Sequence, residues 1–181
     1  MCIRDSYNII QAGRDVTDAL EEYDPGLYRS EKTFFRTVND NLAYGLKGVS
    51  HSSSVMNTRA INFLETMGYS MRSYVTRYDG NSNLADSLLG IKYVIHDKRQ
   101  TSDDAILNTD YKQIFTHDYV DNNDIQSNFE VYENPDALSV GYMADEKITG
   151  ILYLGNDNPF NSQNTVSYTH LRAHETSLHL V

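Results

Sequence analysis

Val16, Ala19, Leu20 and Tyr23 recur at helical steps, which predicts a helix from Gln11 to Tyr23. Asp24-Pro25-Gly26 stops it, because proline lacks a donor and glycine accepts the turn. Leu27 to Phe35 is extended in character, with aromatic bulk at Tyr28, Phe34 and Phe35. Asn39 to Ser54 is polar and loop-like, broken by Gly45 and Gly48. Met56, Ala60, Ile61, Phe63, Leu64 and Met67 then cover one face of a helix, with Ser53 or Ser54 placed to cap it and Gly68 to end it. A short helix from Leu84 to Leu89, capped by Asn83 or Ser82, stops at Gly90. Ile91 to Ile95 is the best buried strand.

Thr101 to Thr109 is an excursion before a strand from Tyr111 to Phe115. Phe129 to Tyr132 alternates again and closes at the turn Asn134-Pro135-Asp136. Leu138 to Met143 is expected to return as a strand, and Ile148 to Leu154 to form the last one. Helices interrupt strands without strict βαβ repetition, so the expected class is α/β or α+β. One domain with a small mixed sheet and a few short helices accounts for the pattern.

Composition narrows the function. At 181 residues, 40% apolar and 22% charged, the chain has material for one core and is too apolar for disorder. A bilayer span needs about 20 apolar residues, and the longest run here is a few residues. The opening stretch carries Arg4 and Asp5 and lacks the apolar centre of a signal peptide. A net charge of −10 argues against a nucleic-acid partner, which would need clustered cations, and against docking on anionic lipid. Cys2 is the sole cysteine, so neither an internal disulfide nor a thiolate metal site is available.

Both ends differ in style from the rest. Met1 to Ser6 and Val166 to Val181 resemble translated sequencing-adapter read-through, so residues 1–6 and 166–181 are expected to be artefacts around a fragment at 7–165. His170 and His174, at i and i+4 beside Glu175, mimic a zinc site. The zinc-protease pattern places its glutamate between the histidines, so no metal is expected there.

The remaining candidates have plainer readings. Ser50, His51, Ser52, Ser53 and Ser54 are too close in sequence for triad geometry, and loop bonding or a helix cap explains them better. His96-Asp97 resembles a base with its orienting acid but has no identifiable third partner, and reads as a strand-end pair. Asp103, Asp104 and Asp110, and Asp121 to Asp124, lack calcium-loop spacing. The glycines flanking Lys47 do not form a phosphate loop. Fourteen tyrosines without tryptophan suit sheet and core positions first and sugar platforms second. Tyr28, Arg29, Asn41, Tyr44 and Ser53, in or beside the longest irregular stretch, are the substrate-binding candidates. No catalytic residue and no cofactor is assigned.

Local motifs recur in a characteristic order from Leu27 to Asn164. They are Leu27-Tyr28-Arg29; Asn41 to Gly45 with Gly48 to Ser54; Phe63-Leu64 with Met67-Gly68-Tyr69; Leu88 to Ile95; Val131 to Leu138; and Asn158 to Asn164. In this order they resemble the YfhO family of bacterial membrane proteins. The resemblance implies a polytopic protein with a C-type glycosyltransferase fold that moves sugar from a polyprenyl-phosphate donor to cell-envelope polymer of the lipoteichoic acid type. It places the catalytic carboxylates on the first extracytoplasmic loop, between early membrane helices, outside this sequence. The chain would then be a non-catalytic accessory domain on the extracytoplasmic side. Its implied partners are the missing transmembrane region, cell-envelope glycan and polyprenyl-linked sugar. A glycan-binding module and a structural spacer are the alternatives.

Overall fold

The computed structural model describes residues 7–67, 69–72, 74–78, 83–99, 110–121 and 123–144. Helix α1 runs Tyr7–Tyr23 and buries Ile9, Ala12, Gly13, Val16, Thr17 and Leu20. It begins four residues before the expected Gln11, because Ile9 and Ala12 extend the stripe by a turn. Ala19 and Tyr23 instead face solvent. The stop is as expected: Asp24 Oδ1 accepts the Gly26 N–H at 2.9 Å and turns the chain towards β1, Arg29–Lys32.

The stretch expected to be a loop from Asn39 to Ser54 holds a short helix, α2 (Asp40–Tyr44), and a two-residue strand, β2 (His51–Ser52). Tertiary contacts outweigh the weak local preference there, since Tyr44 is buried against the α1 backbone at Gly13. Helix α3 (Thr58–Thr66) takes its cap from Asn57, whose side chain accepts from the N–H groups of Arg59 and Ala60, rather than from Ser53 or Ser54. Strands β3 (Ser70–Arg72) and β4 (Val75–Arg77) pair with β2 in a three-stranded antiparallel sheet, order β2-β4-β3.

After α4 (Asn83–Leu89), Gly90 at φ +66° makes the left-handed turn into β5, Ile91–Asp97. Strands β6 (Lys112–Val120) and β7 (Gln126–Glu133) form a hairpin that completes a four-stranded mixed sheet, order β1-β5-β7-β6. Only the β1–β5 pair is parallel. Its crossover contains the small sheet, α2, α3 and α4, because parallel neighbours need a long connection.

Residues Leu138 to Met143, expected as a strand, form no ladder among the described residues. Leu138 donates its N–H to Ser87 O at 3.0 Å, and Tyr142 donates its hydroxyl to Leu88 O at 3.1 Å, so this segment straps α4 instead. The expected excursion at Thr101–Thr109, the strand at Ile148–Leu154, Gly68 and both suspect ends lie outside the described residues.

A core lies on each face of the larger sheet. Tyr93, Ile95, Phe129 and Val131 pack with α1 and Tyr44 on one side. Ile91, Val94 and Tyr132 pack with Leu64, Met67 and Ala85 on the other. A register shift between Arg29 and Ser30 resets the alternation, which puts Ile91 and Val94 on the same face although they are three apart. Phe129 is fully buried between Phe34 (5.3 Å between ring centroids) and Tyr119 (4.5 Å), both stacked. The fold is therefore mixed α/β, and among the described residues no helix is long and apolar enough to cross a membrane.

Candidate functional site

Strand β1 carries the first of three polar centres. Its sequence, Arg29-Ser30-Glu31-Lys32, would suit solvent, yet Glu31 is wholly buried and Lys32 nearly so. Neighbouring strand residues point to opposite faces, so the two charges serve different layers. Lys32 Nζ meets Asp40 at 2.7 Å and donates to Phe34 O at 2.9 Å. Asp40 in turn accepts the Arg36 N–H at 3.0 Å, which fixes the start of α2.

On the other face, Glu31 Oε1 accepts the N–H groups of Val49 and Ser50, the latter at 2.7 Å. Its Oε2 accepts Asn41 Nδ2 at 3.0 Å and Ser50 Oγ at 3.1 Å. Burial raises the Glu31 pKa, against the pull of these donors. The carboxylate thus holds the loop that leads into the small sheet.

The second centre is Asp86 on α4, also fully buried. Three phenols converge on it: Tyr69 at 2.7 Å, Tyr78 at 2.6 Å and Tyr111 at 2.5 Å. Burial pushes the carboxyl up to about 6, while the three hydroxyls pull the other way. Burial also raises all three phenols, so they stay protonated donors.

The third centre lies at the turn end of the β6–β7 hairpin. Arg99 pairs with Asp97 at 3.0 Å and with Asp121 at 2.9 Å, and lies over the Tyr119 ring at 5.1 Å. Tyr119 donates its hydroxyl to Asp97 at 3.0 Å. A cleft of about 610 Å³ runs beside it, lined by Lys98, Arg99, Asp118, Gln126, Ser127 and Asn128 among others. Asn128 Oδ1 is a buried acceptor with no partner among the described residues.

The residues singled out from sequence fall in several places. Tyr28 and Tyr44 are buried in the α1-side core, where burial pushes each phenol up to about 12. Tyr28 packs edge-on against Tyr93 at 4.8 Å. Asn41 is buried on Glu31, and Arg29 Nη1 donates to Leu89 O. Ser53 Oγ accepts the Val55 N–H at 3.2 Å in a local turn. Tyr28, Asn41 and Tyr44 therefore sit in the interior, with Arg29 and Ser53 only partly exposed.

His96 and Asp97 point to opposite faces. His96 Nδ1 shares a 2.8 Å hydrogen bond with Thr33 Oγ1, whereas Asp97 belongs to the Arg99 centre. Ser50 and His51 take strand partners, Glu31 on β1 for the first and Thr76 on β4 for the second. Asp121 is used by its own hairpin turn, accepting from Asn123 and Ile125, and these backbone bonds with Arg99 hold it below the usual carboxylate range. Among the described residues no cluster of three or more His, Cys, Asp or Glu side chains is placed to hold a metal. Glu31, Asp86 and Arg99 are the organising residues that sequence reasoning missed. A buried acid on an edge strand or a short helix has no distinguishing local pattern.

The model of the family described as bacterial membrane protein YfhO matches residues 4–176. The chain belongs to the YfhO family. No curated protein and no solved structure matches it.

The YfhO motifs that fall on described residues meet in space. Arg29 N–H donates to Gly90 O at 3.0 Å, which joins the first motif to the Leu-Gly-Ile-Lys-Tyr strand. Asn134 N–H donates to Lys92 O at 2.8 Å, and its side chain donates to Ser87 Oγ and Ile91 O, which joins the Tyr-Glu-Asn-Pro turn to the same place. A Cβ at Gly90 would lie 2.9 Å from Leu138 O, so only glycine allows this closure. The Asn41–Gly45 and Gly48–Ser50 motifs converge on Glu31, and Tyr69 reaches Asp86. The motif side chains thus connect the layers of the fold.

Proposed function

We propose that this YfhO chain is an extracytoplasmic accessory domain of a polytopic membrane glycosyltransferase. In this reading the enzyme moves sugar from a polyprenyl-phosphate donor to cell-envelope polymer of the lipoteichoic acid type. The missing transmembrane region carries the chemistry, and this domain covers or positions the acceptor. The supporting observation is the use made of its acids. Glu31, Asp86 and Asp97 are each buried and engaged by donors that hold the fold together, not presented in a cleft as an acid–base pair.

The complete gene is the test. It should encode about a dozen spans of about 20 apolar residues on the amino-terminal side of this segment. The isolated chain, given polyprenyl-phosphate sugar and acceptor polymer, should transfer no sugar. A stand-alone reading frame with a secretion signal, or turnover by the isolated chain, would refute the proposal.

A second reading, a non-catalytic glycan-binding module, is favoured by the cleft at Arg99. Planar polar groups (Arg99, Gln126 and Asn128) line it, with Arg99 held by Asp97 and Asp121, which suits the hydroxyl array of a sugar. None of the five sequence-derived residues is among the described residues that line this cleft, and Arg29 and Ser53, the two partly exposed ones, would form a separate contact surface. Titration with teichoic-acid-like polymer should show binding that Asn128→Ala weakens. No binding at all would leave only the accessory role.

A further inference from the structure

The layer that contains β2, α3, β3 and β4 has its own sheet, and among the described residues no ladder continues from it into the four-stranded sheet. Side chains bind the two together. From the sheet side come two fully buried carboxylates: Glu31, which takes the Val49 and Ser50 N–H groups, and Asp86, which takes the Tyr69 and Tyr78 hydroxyls. Tyr111, just before β6, completes the Asp86 cluster at 2.5 Å. Among the described residues Asp86 forms no ion pair, and its donors are neutral phenols. A bare carboxylate in such a site is held against its loss of hydration.

We infer that this layer is a proton-linked latch, closed on the sheet when Asp86 carries a proton and released more readily when it is ionised. The inference is independent of the proposed glycosyltransferase role. The groups that face Asp86 act in opposite directions, and burial outweighs the donors. Tyr69 and Tyr78 from the layer and Tyr111 from the sheet favour its ionised form as donors, and Glu31 across the same interface opposes it by like charge. Asp110 and Asp136 lie near Tyr111 and keep that phenol protonated.

The sign follows from the two states. Closed, the carboxyl titrates at about 6; hydrated in the open layer it returns towards 3.8. Its contribution to closure is therefore complete below 3.8 and is lost as pH rises through about 6. At pH 5 the closed form is mostly protonated and the open form mostly ionised, so opening should rise about tenfold between pH 5 and pH 7.5. Glu31, raised by burial, adds in the same sense. Stability is not uniform across a structure, and a layer that no ladder joins to the main sheet among the described residues is a natural unit of opening.

The experiment is native-state hydrogen exchange on the chain at pH 5 and 7.5, corrected for intrinsic rates. Amides of β4 and the Val49–Ser50 loop are compared with those of β5 and β7. The expected result is about tenfold more frequent opening of the layer at the higher pH, with little change in β5. Asp86→Asn should flatten most of this dependence. Tyr78→Phe, which keeps the ring and removes one donor, should move the midpoint to higher pH and serves if Asp86→Asn does not fold. Opening that does not change with pH would overturn the latch. So would an undiminished dependence in Asp86→Asn, or an unmoved midpoint in Tyr78→Phe.

Discussion

Gly48→Ala places a methyl group where Glu31 Oε1 sits, with Asn41 Nδ2 only 2.7 Å away. Neither neighbour can swing aside freely, because both are buried and bonded to each other at 3.0 Å. Restoring ordinary contact from 2.1 Å requires the loop or the carboxylate to move by about 1.4 Å, since nonbonded carbons and oxygens sit near 3.5 Å. That displacement breaks the Val49 and Ser50 N–H bonds to Oε1. Hydrogen bonds to a charged acceptor contribute about 1.5–3 kcal/mol each. Burial raises the Glu31 pKa and so weakens its charge, which places the expected loss at the lower end, about 3 kcal/mol for the pair.

Against a total stability of about 5–15 kcal/mol this is a large fraction. Urea unfolding measures it, with a midpoint lowered by about 1–2 M for an ordinary slope. Gly141→Ala is the control, because nothing lies within 4 Å of its Cβ position. It should change stability by no more than about 0.5 kcal/mol. If Gly48→Ala falls within about 1 kcal/mol of that control, the role given to Glu31 is wrong.

Other expected outcomes rest on separate contacts. Phe129→Ala opens a cavity between Phe34 and Tyr119 and should lower stability by about 3–5 kcal/mol in the same assay. Asn57→Ala removes the α3 cap and should cost about 1 kcal/mol, with exchange rising first at Arg59 and Ala60. The Lys92 ammonium, 2.6 Å from Asp24, holds that carboxyl below its ordinary value, helped by the Gly26 N–H. Its stabilisation is present above the ordinary carboxylate range and is lost as pH falls through the lowered pKa. In Lys92→Met an NMR titration of Asp24 should move up towards 3.8, and an unmoved curve would remove Lys92 as the cause.

Local order was legible wherever a short stretch carries its own instruction. The α1 stripe with its Asp24-Pro25-Gly26 stop, the β5 run, the short α4 helix ended by Gly90 and the Asn134 turn all follow from periodicity and from residues with restricted backbones. The order of motifs also pointed to the YfhO family. The fate of the polar side chains was not legible. Glu31 and Lys32 carried no signal within an extended stretch, Tyr44 and Asn41 stood as binding candidates in an irregular one, and Leu138–Met143 read as a strand; packing buried the first four and made the last a strap over α4. The physical reason is desolvation. Removing a charge or hydroxyl from water makes a partner obligatory, and the partners arrive from far along the chain, Ser50 for Glu31 and Tyr111 for Asp86. Periodicity within a segment encodes which face is apolar, whereas only the assembled layers determine which donor meets which acid.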